Sequence, residues 1–347
     1  MSTESLNERE LKVLEAIVMS YVETAEPVGS RTIARRFGLG VSAATIRNAM
    51  SDLEEKGYLF HPHTSAGRIP TDRAYRLYVD ALMQQPSVSS AERARIREHL
   101  SMGDNSAVTA ILTRAAEVLG ILTQELGVAV APSLDEVVLE RLDLISVSSD
   151  RLLLVLQLKS GVLRTIFVHV PGTVHPDAVV ALTVVLNDRL AGLTLREIRD
   201  SLPERLRDAA STAEQSELLD IFVATGDQLF NLPTGDEGDV VLGRPSLLAD
   251  QPEFSSGEKM RELIALTEQR DVLRRVLGKR ASANSLTITI GTEHEAREFA
   301  DLTLVTAPYR SGPLTGVIGV LGPTRMPYEK VVALVEHTSK MVGELLK

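Results

Sequence analysis

Apolar positions recur at three- and four-residue spacing over residues 7–24, where Leu11, Leu14, Ile17, Val18, Tyr21 and Val22 share one helical face. Asn7 stands where an N-cap belongs. After a Pro27-Val28-Gly29 break, Ser30 opens a short helix through Phe37 with Ile33, Ala34 and Phe37 inward. Gly38-Leu39-Gly40 is a turn, and Ser42 caps a third helix to about Lys56, its inward stripe being Ile46, Ala49, Met50 and Leu53. Tyr58-Leu59-Phe60 then reads as a short strand and 61–68 as a polar loop. Three helices with a tight turn between the second and third, then a strand and a basic loop, predict a winged helix-turn-helix over residues 1–83. A further helix carries Tyr75, Tyr78, Val79 and Leu82, and QQPSVSS at 84–90 reads as a linker.

Helical patterns near 91–100 and 106–126 lead into strand-like runs at 138–147, 152–158 and 162–170, separated by hairpin chemistry. Helices are expected at 176–190, 194–208, 213–230 and 257–278. Strands resume at 286–290, 302–307 and 317–321 before a closing helix from about Pro327 to Leu346. The economical reading is a multi-domain α+β chain. Residues 91–171 and 284–347 then form one α/β sheet domain, interrupted by a mostly helical insertion at 172–283.

Composition narrows the field. A hydrophobic fraction of 44% with 24% charged residues is that of a globular protein. The absence of cysteine excludes disulfide frameworks, Cys-ligated zinc, iron–sulfur clusters and thiol catalysis, and fits a reducing cytoplasm. The N-terminus lacks the basic start and apolar run of a signal peptide, and no apolar run suits a membrane span. A cytoplasmic protein without cofactor or membrane contact is expected. The net charge of −10 speaks against nucleic acid when taken whole, yet Pro27 to Ser51 holds Arg31, Arg35, Arg36 and Arg47 with no acid. Tyr58 to Thr71 is also acid-free and carries His61, His63 and Arg68.

In a helix-turn-helix the second helix lies in the major groove, its early residues against base edges. Turning Ile46, Met50 and Leu53 inward leaves Ala44, Asn48, Ser51 and Glu55 outward with Thr45 and Arg47 on the flanks. Asn pairs with adenine, Arg with guanine, and small apolar groups meet the thymine methyl. Ser30, Arg31, Arg35 and Arg36 suit phosphate contacts, Arg68 in the wing reaches phosphate or the minor groove, and Ser42, His61, His63, Thr64 and Ser65 are further DNA-contact candidates. Catalytic and metal signatures are weak. The Gly316-Gly319-Gly322 stretch lacks the Lys-Ser/Thr of a P-loop, His294-Glu295 lacks a second helical His, and no G-x-S-x-G elbow occurs. Arg325 reads as an ion-pair partner anchoring the last helix.

The run GVSAATIRNAMSDLEEKGYLFHPHTSAGRIPTDRAYRLYVD at 40–80 closely resembles the HrcA family of heat-inducible transcription repressors. YRSGPLTGVIGVLGPTRMPYEKVVALV at 309–335 matches that family's closing signature. The resemblance implies a GAF-like sheet domain, an inserted dimerisation domain, and repression of chaperone operons through an inverted-repeat operator called CIRCE. It also implies that a GroEL-type chaperonin sustains activity. A homodimer on double-stranded DNA is therefore expected. Val180, Val184, Leu218, Ile221 and Phe222 of the insertion are candidates for its interface, or for that module's own core. The alternatives are a metabolite-sensing repressor with an effector pocket in the GAF-like domain, and an enzyme on the central sheet.

Overall fold

The computed structural model describes residues 6–62, 67–84, 87–101, 108–132, 134, 137–159, 161, 163–170, 174–209, 212–230, 240–281, 283, 285–311 and 314–346. The chain is a mixed α/β protein. In order it forms α1 (Glu8–Thr24), α2 (Ser30–Arg36), α3 (Ala43–Glu55), β1 (Leu59–Phe60), β2 (Ile69–Pro70) and α4 (Asp72–Leu77), the last continued by a π-helical turn at Tyr78–Leu82. Then come α5 (Ser90–Leu100), α6 (Val108–Thr123), β3 (Leu126–Val130), β4 (Leu139–Ser148), β5 (Arg151–Leu158) and β6 (Leu163–His169). Next are α7 (Pro176–Leu190), α8 (Leu195–Leu206), α9 (Ala213–Phe230), β7 (Val240–Leu242), α10 (Ser246–Ala249), α11 (Gly257–Glu268) and α12 (Arg270–Ala281). The chain closes with β8 (Thr287–Ile290), β9 (Leu302–Ser311), β10 (Leu314–Pro323) and α13 (Tyr328–Leu345).

These elements fall into two compact units, one of residues 1–131, 240–309 and 317–345, the other of 132–239, 310–316 and 346–347. The first contains a five-stranded sheet of order β7-β3-β10-β9-β8. Strand β3 is buried at every position, and Val128 pairs with Gly319 of β10 and with Leu242 of β7. Leu126, Val128 and Val130 meet Leu248, Leu263, Leu266, Leu273 and Leu277 of α10, α11 and α12 in one apolar cluster. Gly127, one residue out of step, turns to α6, where a Cβ would stand 1.8 Å from the Ala116 carbonyl oxygen. Only glycine permits that approach.

The second unit holds the antiparallel sheet β4-β5-β6. Its inner face, with Leu142, Leu144, Leu152, Leu154, Leu156 and Val168, packs with Leu182, Leu186, Ile198, Leu202 and Phe222 of α7, α8 and α9. The opposite face is unusual. Ile145 pairs with Leu153 and Leu153 with Phe167, giving one apolar row across three strands, with Ile145 50% and Phe167 66% exposed.

The partition departs from the expectation that residues 138–170 share a sheet with 284–347. Strands β4 to β6 pair only among themselves among the described residues, and the helices that cover them follow directly in sequence. Helices α11 and α12, expected in the insertion at 172–283, pack instead with the five-stranded sheet. Alternation along a strand reports that one face is buried, not which partner buries it. Strands β3 and β7 escaped the pattern for a related reason. Leu126-Gly127-Val128-Ala129-Val130 is covered on both faces, so it shows no alternation, and only Gln124 and Glu125 separate it from α6.

Candidate nucleic-acid interface

Helix α3 is held at both ends. At its start the Ser42 hydroxyl accepts the Thr45 N–H at 3.1 Å. At its end Lys56 Nζ lies 2.9 and 3.0 Å from the two Glu10 carboxylate oxygens, and Glu10 also accepts the Asn7 N–H at 2.8 Å. Burial opposes the Glu10 charge, but Lys56 and the Asn7 N–H outweigh it and hold the carboxyl below its ordinary pKa. Arg73 stacks over Tyr58, 4.4 Å from the ring centre, and donates to the Lys56 carbonyl at 2.8 Å. That guanidinium caps the C-terminal end of α3.

Strands β1 and β2 form an antiparallel hairpin, with Leu59 opposite Pro70 and Phe60 opposite Ile69. A third segment joins through Val28, whose N–H and C=O exchange hydrogen bonds with Arg68 at 2.8 and 2.9 Å. Gly67 allows this, because a Cβ there would come within 2.4 Å of the Val28 carbonyl group.

The expected reading face divides cleanly. Ile46, Ala49, Met50 and Leu53 are buried, Ala44, Arg47 and Asn48 are exposed, and Thr45 and Ser51 are half-exposed. Arg31 and Arg35 of α2 are exposed and form no ion pair among the described residues; Ser30 is half-buried at the first position of that helix. Arg36 is also exposed but pairs with Glu23 of α1, and it lies 5.5 Å from the Phe37 ring centre. His63, Thr64 and Ser65 lie outside the described residues.

Arg68 does not occupy the position expected for a phosphate contact. Its guanidinium lies 2.7 Å from Glu54 of α3 and 2.8 Å from His61 Nε2, with the side chain only 18% exposed. Here Arg68 ties the wing to α3, and His61 is a partner in that tie. Glu23 and Glu54 are the residues that linear reading missed. Each lies outside the acid-free runs and neutralises an arginine counted inside them. Arg325 is an ion-pair partner as expected, bidentate to Glu253 at 2.6 and 3.0 Å, but its other contacts are Gln251 at 2.9 Å and the Val22 carbonyl at the end of α1 at 2.8 Å, not the last helix.

Residues 109–332 match the family model of the HrcA protein C terminal domain. The chain is also similar to the heat-inducible transcription repressor HrcA of Chlorobium phaeovibrioides (strain DSM 265 / 1930), with 40% identity over 97% of this chain and 96% of the relative. The chain belongs to the HrcA family of heat-inducible transcription repressors. The HrcA of Chlorobium phaeobacteroides (strain BS1) is likewise 40% identical, across 100% of both chains. A crystal structure of a hypothetical protein solved at 2.2 Å resolution shares the fold at a TM-score of 0.60, with 21% identity and 99% of each chain covered. The HrcA C-terminal match begins downstream of α1–α4, whereas the alignment with the Chlorobium phaeobacteroides relative spans that segment as well. Among the described residues no helix is long and apolar enough to cross a membrane.

Proposed function

We propose that residues 6–82 form a winged helix-turn-helix whose α3 enters the major groove of an operator, and that the chain represses class I heat-shock (chaperone) operons from it. The observation that carries this reading is the face of α3. Ala44, Arg47 and Asn48 are exposed together, opposite a fully packed stripe, with Arg31 and Arg35, in no ion pair among the described residues, on the preceding helix. Asn48 and Arg47 supply bidentate base contacts, Ala44 an apolar one, and Arg31 and Arg35 phosphate contacts that set the register. Arg36, Ser30, Ser42, Thr45 and Ser51 belong to the same contact set, and His63, Thr64 and Ser65, outside the described residues, are proposed with them as DNA contacts.

The operator is an inverted repeat of the CIRCE type, bound by a homodimer whose two-fold axis matches the repeat. Of the interface candidates, Leu218 and Phe222 are 3% and 0% exposed and Ile221 packs against the same cluster, which makes them core. The exposed row Ile145–Leu153–Phe167 supports the β4-β5-β6 face as the self-complementary surface. The sheet carrying β8 to β10 is assigned as the GAF-like domain and the unit around β4-β5-β6 as the dimerisation domain. Family membership supports a cytoplasmic repressor that a GroEL-type chaperonin keeps in its binding-competent form; raising that competent fraction raises apparent operator affinity in proportion.

Footprinting on the DNA upstream of the protein's own gene, with and without chaperonin, tests the reading. Protection of two half-sites, strengthened by chaperonin at constant temperature, is expected. Uniform, sequence-independent protection overturns the operator assignment.

A further inference from the structure

A cleft of about 570 Å³ opens between α12 and β8 and the turn that follows, lined by Arg275, Lys279, Arg280, Thr289, Glu293 and Glu295 among others. Its charges do not cancel. Lys279 is engaged by Glu295 at 2.6 Å. Glu293 is taken by Arg76, which reaches its two carboxylate oxygens at 2.7 and 2.6 Å, and by the Ile290 N–H at 2.8 Å. Arg275 and Arg280 remain.

Arg280 is the informative residue. Its side chain is half-buried, yet its partners are two neutral hydroxyls, Thr289 Oγ1 at 2.5 Å and Thr306 Oγ1 at 3.5 Å. No carboxylate among the described residues pairs with it, and burial accordingly lowers its pKa. Two of the five donors of its guanidinium are used. Proteins rarely bury a cation without a counter-charge, because desolvation is then uncompensated. The same unbalanced charge acts on His294 in the cleft wall. Burial first and Arg280 second push that imidazole down to about 4, so it is neutral at ordinary pH and the positive charge of the cleft comes from the arginines.

A second cleft, of about 440 Å³ beside α11, lacks this feature, since its Lys259 is already held by Asp301 at 2.6 Å and Glu262 at 3.0 Å. The α12 cleft is also of the size that small-molecule sites occupy, larger than a lone ion needs.

We propose that the cleft between α12 and β8 binds a small phosphate-bearing molecule, its phosphate seated on Arg280, the Thr289 hydroxyl and Arg275. A guanidinium anchored by the Thr289 hydroxyl presents its other N–H groups as a fork, the geometry that suits phosphate oxygens. Val276 and Ala296 supply an apolar wall for the remainder of the ligand. The site adjoins the fastening of α4, where Asp72 accepts both the N–H and the hydroxyl of Thr292 at 2.9 Å.

Calorimetric titration of the full-length protein with inorganic pyrophosphate, and with acetate as a carboxylate control, tests the proposal. Saturable pyrophosphate binding is expected, weakened about 10-fold or more by Arg280→Met, as the loss of charge-assisted bonds requires. Arg275→Ala, at an exposed position that leaves the fold intact, weakens it several-fold, so the test survives if Arg280→Met misfolds. Absence of pyrophosphate binding, equal binding of acetate, or unchanged affinity in Arg275→Ala overturns the proposal.

Discussion

Lys56, the residue that ends α3, closes on Glu10 in the first turn of α1, with its ammonium within 3.0 Å of both carboxylate oxygens. The carboxylate is 4% exposed and the lysine 23%, so this ion pair is largely withdrawn from water and sets the angle between the first helix and the reading helix. Glu10→Ala removes both of these contacts to a partly exposed lysine and is expected to cost about 1–3 kcal/mol, checked by chemical denaturation. The pH dependence follows from the lowered carboxyl pKa. The unfolded chain takes up the proton first on acidification, so this stability is complete above the ordinary carboxylate pKa. It is lost as the pH falls through the lower folded value. Glu10→Gln should remove that part of the acid limb from a melting-temperature profile.

The two arginines of α2 that look alike in sequence should behave differently. Arg35→Ala weakens specific and random DNA alike and flattens the salt slope by about one unit, as loss of a phosphate contact does. Arg36→Ala does less, because Glu23 already neutralises it. Asn48→Ala costs about 1–3 kcal/mol on the operator and relaxes base preference at one position. Titrations at several salt concentrations separate the three. An unchanged operator-to-random ratio in the Asn48 variant would remove it from the reading set.

Arg68→Ala is a stability variant before it is a binding variant. Loss of the Glu54 and His61 contacts frees the wing from α3, at about 1–3 kcal/mol for a half-buried, hydrogen-bonded charge. Thermal melting should show that loss, while the salt slope of DNA binding stays near its wild-type value. A slope lowered with no change in melting would return Arg68 to the DNA.

Phe167→Asp places a charge in the exposed apolar row of β4-β5-β6 without touching its packed face. Sedimentation should report monomer, and operator affinity should fall with it. A persistent tight dimer moves the interface elsewhere.

His294 supplies a second pH signature. Its imidazole is pushed down to about 4 from an ordinary 6.5, so between those values the unfolded chain binds a proton that the folded chain refuses. Stability is then complete above about 6.5 and declines as the pH falls toward 4. His294→Phe should flatten melting temperature across that window.

What could be read from the linear chain was what a single element decides by itself. The buried stripe Ile46–Ala49–Met50–Leu53 and the exposure of Ala44, Arg47 and Asn48 follow from one helical period, and both were legible. The commitments of Arg68 and Arg36 were not, because Glu54 and Glu23 are brought to them by packing rather than by spacing. The split between the two sheets was hidden for the same reason, and β3 more deeply still. A strand covered on both faces carries no alternation to find.

The pairing of Val128 with Gly319 has a consequence for the making of the protein. Strand β10 leaves the ribosome about 190 residues after β3, which at ordinary elongation rates is roughly 10–40 s. Throughout that interval Leu126, Val128 and Val130 have no strand partner on the β10 side, while the entire β4–α9 unit is synthesised between them. Each nascent chain thus passes through a window in which an apolar edge lies open to neighbouring polypeptides. The yield of finished molecules is set by how quickly the late strand arrives against how crowded the surroundings are.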